Sequence, residues 1–509
     1  MHLRAATLFA LLIAAGAGVS ACGGNAPNPA VAAGPGATAS RASASSPISH
    51  VIIVIQENRS FDNFFATFPN ANGATAGHAI AMPSPIAAAC AADGQPVIAS
   101  PTTVPLTEVS LVGKGFPTVP PTGQPFGWNQ DLPHNYPKGY LVDCNSPAGQ
   151  PNASNPCAMD GFDVQRFGPN ASGGGPTCTY VYQYVNPQAI APYWQMAEQY
   201  VLADNAFASQ GSSSFTGHQD LIAAGTAIAK TESAIDNPTG FPWGCDSGPY
   251  AHEPYLTTSG KYVSNGPFPC YPVNGSYAYQ TLRDLLDARN VSWKYYTNKV
   301  YAHGTKQAGS SGIWSAFDAI STVRNGSEWG TKVVWPDTKI FADIKHGALP
   351  AVAWVTPDGE NSDHPAESCK CDKGPSWVAS IVNAIGASKY WKNSAIVVVW
   401  DDSGGYYDHV PPPLYDNQGG LGFRIPLLVV SPYVQAHVEH TQYETASIVR
   451  FVEENFGLGS LGRLDKRAAS IGNAFNFTMT PRPFQTIKAA YPRSFFEAER
   501  SSGIAPDSD

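Results

Sequence analysis

Charged side chains are scarce in this sequence of 509 residues, and no tract of basic residues is present. Lys and Arg number 30 against 39 Asp and Glu, which gives a net charge of -9 at pH 7. Because affinity for a phosphate backbone requires concentrated positive charge, we expect no nucleic-acid partner. The 48 Gly and 44 Pro are too few for a collagen-like or low-complexity chain, and 43% of the residues are apolar. The sequence therefore predicts a folded protein with a large core.

The apolar stretch near the N-terminus is too short to cross a bilayer. Arg4 precedes it, and small residues follow at positions 19–22, an order typical of an export signal. Residues 19–22 (VSAC) resemble a bacterial lipobox, which predicts a lipoprotein signal peptide at 1–21 and a lipid anchor on Cys22. We expect an outer-membrane or cell-surface lipoprotein that contacts the membrane through this anchor. The alternative is an ordinary secretion signal and a periplasmic or secreted protein.

Composition divides the rest of the chain into a tether, a domain and a tail. Residues 22–46 are mostly Ala, Gly, Pro and Ser, typical of a flexible tether. Residues 47–500 have a globular composition and are predicted to form a single domain, followed by a tail at 501–509. Two segments at about 67–190 and 230–275 are rich in Pro, Gly and Asn. We expect these segments to be insertions that form a cap.

Eight cysteines remain after Cys22, an even number that predicts up to four disulfides in an exported protein. The sequence does not select among the 105 pairings of eight cysteines. A zinc cluster is the alternative. Its spacing is unfavourable, because the only close pair, Cys369 and Cys371, is separated by one residue where zinc sites have at least two.

Short, wholly apolar runs at 51–55, 351–355, 395–400 and 427–430 predict strands buried on both faces. Amphipathic stretches between and after them, including 376–387 and 444–456, predict helices. This alternation is typical of an α/β protein with a mainly parallel central sheet flanked by helices.

Polar residues directly follow two of these strands. Glu57 and Asn58 come after the first strand, and Asp401 and Asp402 after the third. Ligands in open α/β sheets gather at the carboxyl ends of strands. Adjacent carboxylates there repel each other unless a cation or a proton compensates, and together the four residues offer oxygen ligands for a divalent metal. Strand-end acidic residues also serve as helix caps or turn formers.

These two junctions resemble the signature motifs of a known family. Residues 50–62 (HVIIVIQENRSFD) and 401–413 (DDSGGYYDHVPPP) are similar to those of the bacterial phosphoesterases that include phosphatidylcholine-type phospholipases C and respiratory-burst-inhibiting acid phosphatases. Shorter pieces follow in the family's order: 131–134 (DLPH), 159–162 (MDGF), 363–365 (DHP) and 450–458 (RFVEENFGL). The likeness implies an alkaline-phosphatase-like fold.

The resemblance also implies one divalent metal ion bound at the nucleophile. The matching metal ligands are Glu57, Asn58, Asp401, Asp402 and Ser214. Oxygen-rich sites accept several metals, so the residue types do not identify the ion.

The resemblance places a Ser or Thr nucleophile between the two motifs, and its register selects Ser214, just ahead of residues 215–223 (FTGHQDLIA). The family usually has a Pro before the nucleophile, which residues 211–214 (GSSS) lack. Ser212, Ser213 and Thr216 therefore remain alternatives.

By the same resemblance, His134 and His364 bind phosphoryl oxygens or protonate the leaving oxygen. Imidazole suits this role because its unperturbed pKa is about 6.5. We interpret His218 and His303 as structural, and His409 as a partner of the adjacent acidic pair.

The expected function is an exported, metal-dependent acid phosphatase acting on phosphate monoesters through a phosphoserine. The 215–223 segment is closer to the acid-phosphatase branch. Phospholipases C of the family usually carry extra C-terminal domains, whereas this sequence ends about 50 residues after the 450–458 signature, which also favours the phosphatase. The first alternative is a phospholipase C that cleaves a phospholipid and releases a phosphorylated head group. A second alternative of another class is a non-catalytic surface-binding lipoprotein.

Overall fold

The structure is a computed structural model that describes residues 46–111, 118–119, 124–125, 132–147, 150–167, 175–239, 243–248, 250–271, 279–302, 305–307, 312–365, 372–413 and 420–503. The predictions for the signal peptide, Cys22, His303, Cys369 and Cys371 lie outside the described residues, as does nearly all of the tether.

A sheet of eight strands occupies the centre of the described part of the chain. The strands are β1 (His50–Gln56), β2 (Val201–Ala203), β3 (Trp293–Tyr296), β4 (Val333–Val334), β5 (Val352–Val355), β6 (Ser394–Trp400), β7 (Leu427–Val430) and β8 (His437–Glu439). Their spatial order is β4-β3-β5-β1-β6-β7-β2-β8. β1 pairs in parallel with both β5 and β6. On the β5 side the parallel pairing continues to β3 and then to β4. The predicted α/β class with a mainly parallel sheet is confirmed.

All four apolar runs form strands of this sheet, namely β1, β5, β6 and β7. β7 is fully buried like the others but runs antiparallel to both of its neighbours, β6 and β2. An uninterrupted apolar run therefore indicates that a strand is buried on both faces, but it does not determine the direction of the strand. Each buried apolar side chain of this size stabilises the fold by roughly 1.5–3 kcal/mol. The central strands therefore form a large part of the stabilising core.

Helices cover the sheet. The α-helices are α1 (Phe61–Phe65), α2 (Ser84–Ala92), α3 (Leu141–Cys144), α4 (Ala191–Gln199), α5 (Ser214–Ala223), α6 (Leu282–Ala288), α7 (Ser321–Arg324), α8 (Lys339–His346), α9 (Gly374–Gly386), α10 (Thr445–Phe456) and α11 (Arg493–Ala498). The two predicted helices correspond to α9 and α10. α9 begins two residues early because Pro375 occupies its first turn, a position Pro favours. Glu444 precedes α10 as its cap, and Gly457 ends it in a left-handed conformation with φ of 61°.

Short strands build the two predicted insertions and their surroundings. A four-stranded antiparallel sheet consists of Ala227–Ala229, Glu232–Ala234, Tyr255–Thr257 and Tyr262–Val263. The remaining pairs are Ala76–Ala79 with Thr102–Pro105, Thr107–Val109 with Gln183–Val185, Ala206–Phe207 with Tyr443–Glu444, Thr118–Val119 with Gln124–Pro125, and Val300–Ala302 with Thr305–Gln307. Isolated pairs of such short strands are only marginally stable, so these loop-rich segments need an additional source of stability.

Three disulfides supply that stabilisation. Cys90 pairs with Cys178 and Cys144 with Cys157 in the first insertion, and Cys245 pairs with Cys270 in the second. The prediction of disulfides is confirmed for these six cysteines. Residues 46–503 belong to one structural unit. Within it, α11 packs against α9, where the ring of Phe496 contacts the ring of Trp377.

Candidate active site

The first strand ends in a turn that carries Glu57 and Asn58. Both side chains are fully buried, and Asn58 has a left-handed backbone with φ of 57°. Gly404 packs against this turn, and a Cβ atom at Gly404 would lie 2.4 Å from the Asn58 carbonyl oxygen. The Arg59 amide also donates to the Asp402 carbonyl oxygen at 3.2 Å. The turn after β1 and the loop after β6 are therefore in direct contact.

Asp401 and Asp402 lie on that second loop and have different partners. Asp401 Oδ1 accepts a hydrogen bond from the Asn58 amide at 3.1 Å, whereas its Oδ2 is buried with no hydrogen-bond partner. Asp402 Oδ2 lies 3.4 Å from both Ser214 Oγ and His134 Nε2. A buried carboxylate oxygen without a donor is costly unless a cation compensates it, which makes Asp401 Oδ2 suitable for a metal ligand.

Ser214 is the first residue of α5, and its hydroxyl contacts both loops. Oγ lies 3.3 Å from Asn58 Oδ1 and 3.4 Å from Asp402 Oδ2. The start of the helix reaches this point because Gly217 has no side chain, and a Cβ atom there would lie 2.6 Å from the Asp401 carbonyl oxygen. The structure thus brings the predicted nucleophile together with the predicted ligands of both motifs.

The alternative hydroxyls near Ser214 have other surroundings. Ser212 Oγ donates to Thr216 Oγ1 at 2.8 Å and accepts from the Asp236 amide at 2.7 Å, while Thr216 Oγ1 lies 3.3 Å from the Asp236 carbonyl oxygen. Ser213 precedes the helix, and its Oγ is buried with no hydrogen-bond partner. Ser214 is the member of this run that hydrogen-bonds to Asn58 and Asp402.

His218 joins the site although the sequence suggests only a structural role for it. Its Nε2 lies 2.9 Å from Glu57 Oε1, and both side chains are fully buried. Burial lowers the pKa of His218 to about 4, so the imidazole is neutral near pH 7 and Nε2 donates to the carboxylate. The sequence contained one indication of this role: His218 comes four residues after Ser214, a spacing that places both side chains on one face of a helix.

His134 reaches the site from the first insertion. Its Nδ1 lies 2.7 Å from the Leu132 carbonyl oxygen, which fixes the ring, and its Nε2 lies 3.3 Å from Asn58 Nδ2 and 3.4 Å from Asp402 Oδ2. The structure places His134, a predicted catalytic residue, beside the acidic pair. The first insertion contributes a side chain to the site as well as covering it.

His364 is fully buried on the loop after β5, where its ring centroid lies 5.8 Å from that of Trp314. Arg59 fastens this loop to the first motif, since its guanidinium donates twice to the Asp363 carbonyl oxygen, at 2.9 and 2.7 Å. Burial raises the pKa of the Asp363 carboxyl to about 7, and this side chain accepts a hydrogen bond from Tyr193 at 2.8 Å.

His409 does not contact the adjacent acidic pair in the way the sequence suggests. Its Nδ1 lies 2.7 Å from Asp62 Oδ2. Arg424, also fully buried, donates to Asp408 Oδ1 at 2.8 Å and to Asp62 Oδ1 at 3.1 Å. A guanidinium thus compensates these carboxylates, and the cluster braces the end of the second motif against α1.

The carboxylates near Ser214 have the arrangement expected of a cation site. Ligand-type atoms of Glu57, His218 and Asp401 lie within 4.8 Å of one another. Since His218 Nε2 donates to Glu57, the two carboxylates are the ligands of this group, and oxygen ligands suit several divalent metals. Together with the orphaned Asp401 Oδ2, this donor set fits a divalent metal ion.

A small pocket opens beside the acidic pair. Its lining includes Asp402, His134, Ser212, Tyr140 and Phe423. Tyr140 and His134 come from the first insertion, so the predicted cap contributes walls to the pocket.

A buried hydroxyl beside an amide oxygen and a carboxylate, at the carboxyl edge of a mainly parallel α/β sheet, is an arrangement suited to ester hydrolysis. The chain belongs to the Phosphoesterase family, whose model matches residues 48–459. It is a hydrolase acting on phosphoric ester bonds, and the family resemblance seen in the sequence is confirmed.

The relatives include phospholipases C. Phospholipase C B of Mycobacterium tuberculosis is 25% identical over 481 residues, covering 86% of this chain and 79% of that protein. Non-hemolytic phospholipase C of Pseudomonas aeruginosa is 24% identical over 468 residues, covering 84% of this chain and 57% of that protein. Non-specific phospholipase C6 of Arabidopsis thaliana is 27% identical over 179 residues, which is 29% of this chain and 34% of that protein.

Among solved structures, a protein in the alkaline phosphatase superfamily from Vibrio parahaemolyticus is similar with a TM-score of 0.31 and 11% identity, over 56% of this chain and 65% of that chain. Within the described residues, no helix has both the length and the apolar character that spanning a membrane requires.

Proposed function

We propose that this protein is a metal-dependent phospholipase C that cleaves a phosphodiester through Ser214. The observation that supports the proposal best is the position of Ser214 Oγ, 3.3 Å from Asn58 Oδ1 and 3.4 Å from Asp402 Oδ2. These side chains come from three distant parts of the chain and meet at one buried point. The substrate class follows from the phospholipases C among the relatives that span most of the chain.

The proposed metal ion is divalent and single. Its ligands would be Glu57, Asn58, Asp401, Asp402 and Ser214. When bound, it would lower the pKa of the serine hydroxyl and offset negative charge on the phosphoryl group. In this scheme His218 is a positioning residue, because its Nε2 lies 2.9 Å from Glu57 Oε1 and restricts the orientation of that carboxylate.

Hydrolysis proceeds in two steps, the formation of a phosphoserine and its hydrolysis. Ser214 Oγ attacks phosphorus in line, its proton leaves towards Asp402 Oδ2, and the bond to the diacylglycerol oxygen breaks. Protonated His134 gives that leaving oxygen a proton from Nε2. Water then attacks the phosphoserine and gives a proton to His134 Nε2. The Ser214 Oγ–P bond breaks, Ser214 Oγ takes back the proton from Asp402 Oδ2, and the phosphorylated head group departs. Since phosphoryl transfer depends chiefly on positioning and electrostatics, the fixed ring of His134 would position the acid, and the carboxylates would contribute by holding the cation.

We assign His364 the role of binding a phosphoryl oxygen. It follows the Asp363 carbonyl that Arg59 holds against the first motif. This connection would keep the His364 backbone in a constant position relative to Glu57 and Asn58.

An acid phosphatase with the same nucleophile is the second candidate. Residues 215–223 resemble the acid-phosphatase branch of the family, and the pocket beside Asp402 is small. A phosphate monoester presents one ester bond to the same groups, so the chemistry at Ser214 would be unchanged.

Two chromogenic substrates distinguish these functions. The purified protein would be assayed on p-nitrophenyl phosphorylcholine and p-nitrophenyl phosphate, before and after dialysis against EDTA, with Ser214→Ala as the inactive control. Hydrolysis of the phosphorylcholine ester that EDTA abolishes supports the phospholipase C. Hydrolysis of the monoester alone selects the acid phosphatase, and hydrolysis of neither with any added divalent metal selects the non-catalytic lipoprotein.

For location, we propose export and a lipid on Cys22, from the lipobox at residues 19–22. Mass spectrometry of the N-terminal peptide tests this directly. A peptide beginning at an acylated Cys22 is expected, whereas an unmodified cysteine would indicate ordinary secretion.

A further inference from the structure

A groove on the described surface lies away from the active site and is lined by basic side chains. It has a volume of about 1170 Å³, and it is formed by the C-terminal ends of α8 and α9 together with residues 486–494. Four cations line it: Lys345, Lys389, Lys488 and Arg493. None of the described residues that line the groove is Asp or Glu.

This concentration of positive charge is unusual for a chain whose net charge is -9. Two carboxylates contact the rim: Glu497 lies 3.4 Å from Arg493, and Asp372 accepts a hydrogen bond from Tyr491 at 2.9 Å. Lys345, Lys389 and Lys488 are exposed to solvent, so their charges are available to a partner. We name this surface the cationic groove.

The cationic groove lies at the edge of the sheet opposite the active site. β1, β5 and β6 are parallel, and Glu57 and Asp401 follow their carboxyl ends. Lys345 and Lys389 each come a few residues before the start of the next strand, β5 and β6 respectively. β1 has seven residues, which separates the two edges by about 20 Å.

The chain enters the domain at this same edge. The Ser49 amide donates to the Asn393 carbonyl oxygen at 2.8 Å, and the ring of His50 lies 4.7 Å from that of Tyr390. Lys389 Nζ lies 5.2 Å from the centre of the Tyr390 ring. The segment that leads from Cys22 therefore joins the domain next to the cationic groove.

We propose that the cationic groove docks on a bilayer that contains anionic phospholipids, with the active site facing away from that bilayer. The 23 residues between Cys22 and the first described residue can span at most about 80 Å, so a lipid on Cys22 would keep this edge close to the membrane. Basic residues near an anionic surface each strengthen binding by about fivefold, and several of them act together. The inference depends on the charges and the chain entry, not on the reaction that Ser214 performs.

Charge reversal in the groove tests this proposal. Lys389→Glu with Lys488→Glu is compared with Lys230→Glu with Lys261→Glu, a control that changes the net charge equally on the small sheet at 227–263. Lys230 and Lys261 are both exposed. Every protein is the full chain with Cys22→Ala, so that no lipid on this residue contributes. Binding is measured by sedimentation with phosphatidylcholine vesicles with and without one third phosphatidylglycerol.

The groove variant should bind the anionic vesicles at least about thirtyfold more weakly than the control, and added salt should reduce this difference. Both variants should hydrolyse a soluble substrate as the unmodified protein does, which shows that folding and catalysis are intact. Equal binding by the two variants would overturn the proposal. So would binding that does not depend on phosphatidylglycerol, or binding to a soluble polyanion without binding to vesicles.

Discussion

His218 Nε2 lies 2.9 Å from Glu57 Oε1, although 161 positions separate the two residues in the chain. Neither side chain is exposed to solvent. The contact links the helix that starts at Ser214 to the turn after β1, and it restricts the orientation of a carboxylate that we assign to the metal. Changes at His218 should therefore alter metal binding more than they alter folding.

We expect His218→Ala to weaken metal binding by about 10- to 100-fold, the usual effect of losing a group that orients a ligand. His218→Gln should retain more of the affinity, because its side-chain amide can still donate to Glu57. Titration calorimetry with Mn²⁺ or Zn²⁺ measures both values independently of turnover. Equal affinities for Ala, Gln and the unmodified protein would show that His218 only fills space.

Ser214→Ala should reduce kcat by at least about a thousandfold while leaving metal content largely unchanged. The hydroxyl is the proposed nucleophile, and four oxygen ligands remain when it is removed. Ser213→Ala is the matched control, since Ser213 is also buried but has no hydrogen-bond partner at Oγ. If Ser213→Ala or Thr216→Ala is the inactive variant, the nucleophile is one of those hydroxyls.

Asp402→Asn should lose metal and activity together. Asp402 Oδ2 lies 3.4 Å from both Ser214 Oγ and His134 Nε2, so its charge acts on both proposed catalytic groups. Metal content after gel filtration, measured by atomic emission, reports the first effect and steady-state kinetics the second. Full metal content with a normal rate would remove Asp402 from the site.

The strands and the strand-end residues could be predicted because their signals are local. Four apolar runs and the polar residues that follow two of them suffice to place Glu57, Asn58, Asp401 and Asp402 at one edge of a sheet. The family resemblance added Ser214, His134 and His364, which no local pattern singles out.

Features that depend on distant partners could not be predicted in this way. The disulfide from Cys90 to Cys178 spans 88 positions, and an even cysteine count does not encode such a pairing. The antiparallel direction of β7 depends on how the chain returns to the sheet. The contact from His218 to Glu57 was missed because a lone histidine in a helix has the same local sequence whether it fills the core or orients a ligand.

Arg424→Met should lower the free energy of unfolding by about 3–5 kcal/mol. It would leave Asp62 and Asp408 buried without the guanidinium that now lies 3.1 and 2.8 Å from them. Arg493→Met is the control: it removes an exposed i,i+4 pair with Glu497, which contributes less than about 1 kcal/mol. Urea denaturation followed by tryptophan fluorescence measures both. Similar losses in the two variants would show that the buried cluster does not stabilise the fold beyond a surface ion pair.

Glu253 should make stability depend on pH. Burial raises the pKa of this carboxyl to about 8, and Tyr271 donates a hydrogen bond to it. The folded protein therefore binds one proton more than the unfolded chain between about pH 4.5 and pH 8. Since the unfolded state holds fewer protons, the contribution of Glu253 to stability falls as pH rises through this window.

Glu253→Gln removes that titration while keeping the shape of the side chain. Relative to the unmodified protein, the variant should gain stability as pH rises from 4.5 to 8, by up to roughly 4 kcal/mol. Urea denaturation at several pH values gives the difference in the free energy of unfolding. A difference that stays constant over this range would mean that Glu253 is ionised in the folded protein and that its burial is compensated by another group.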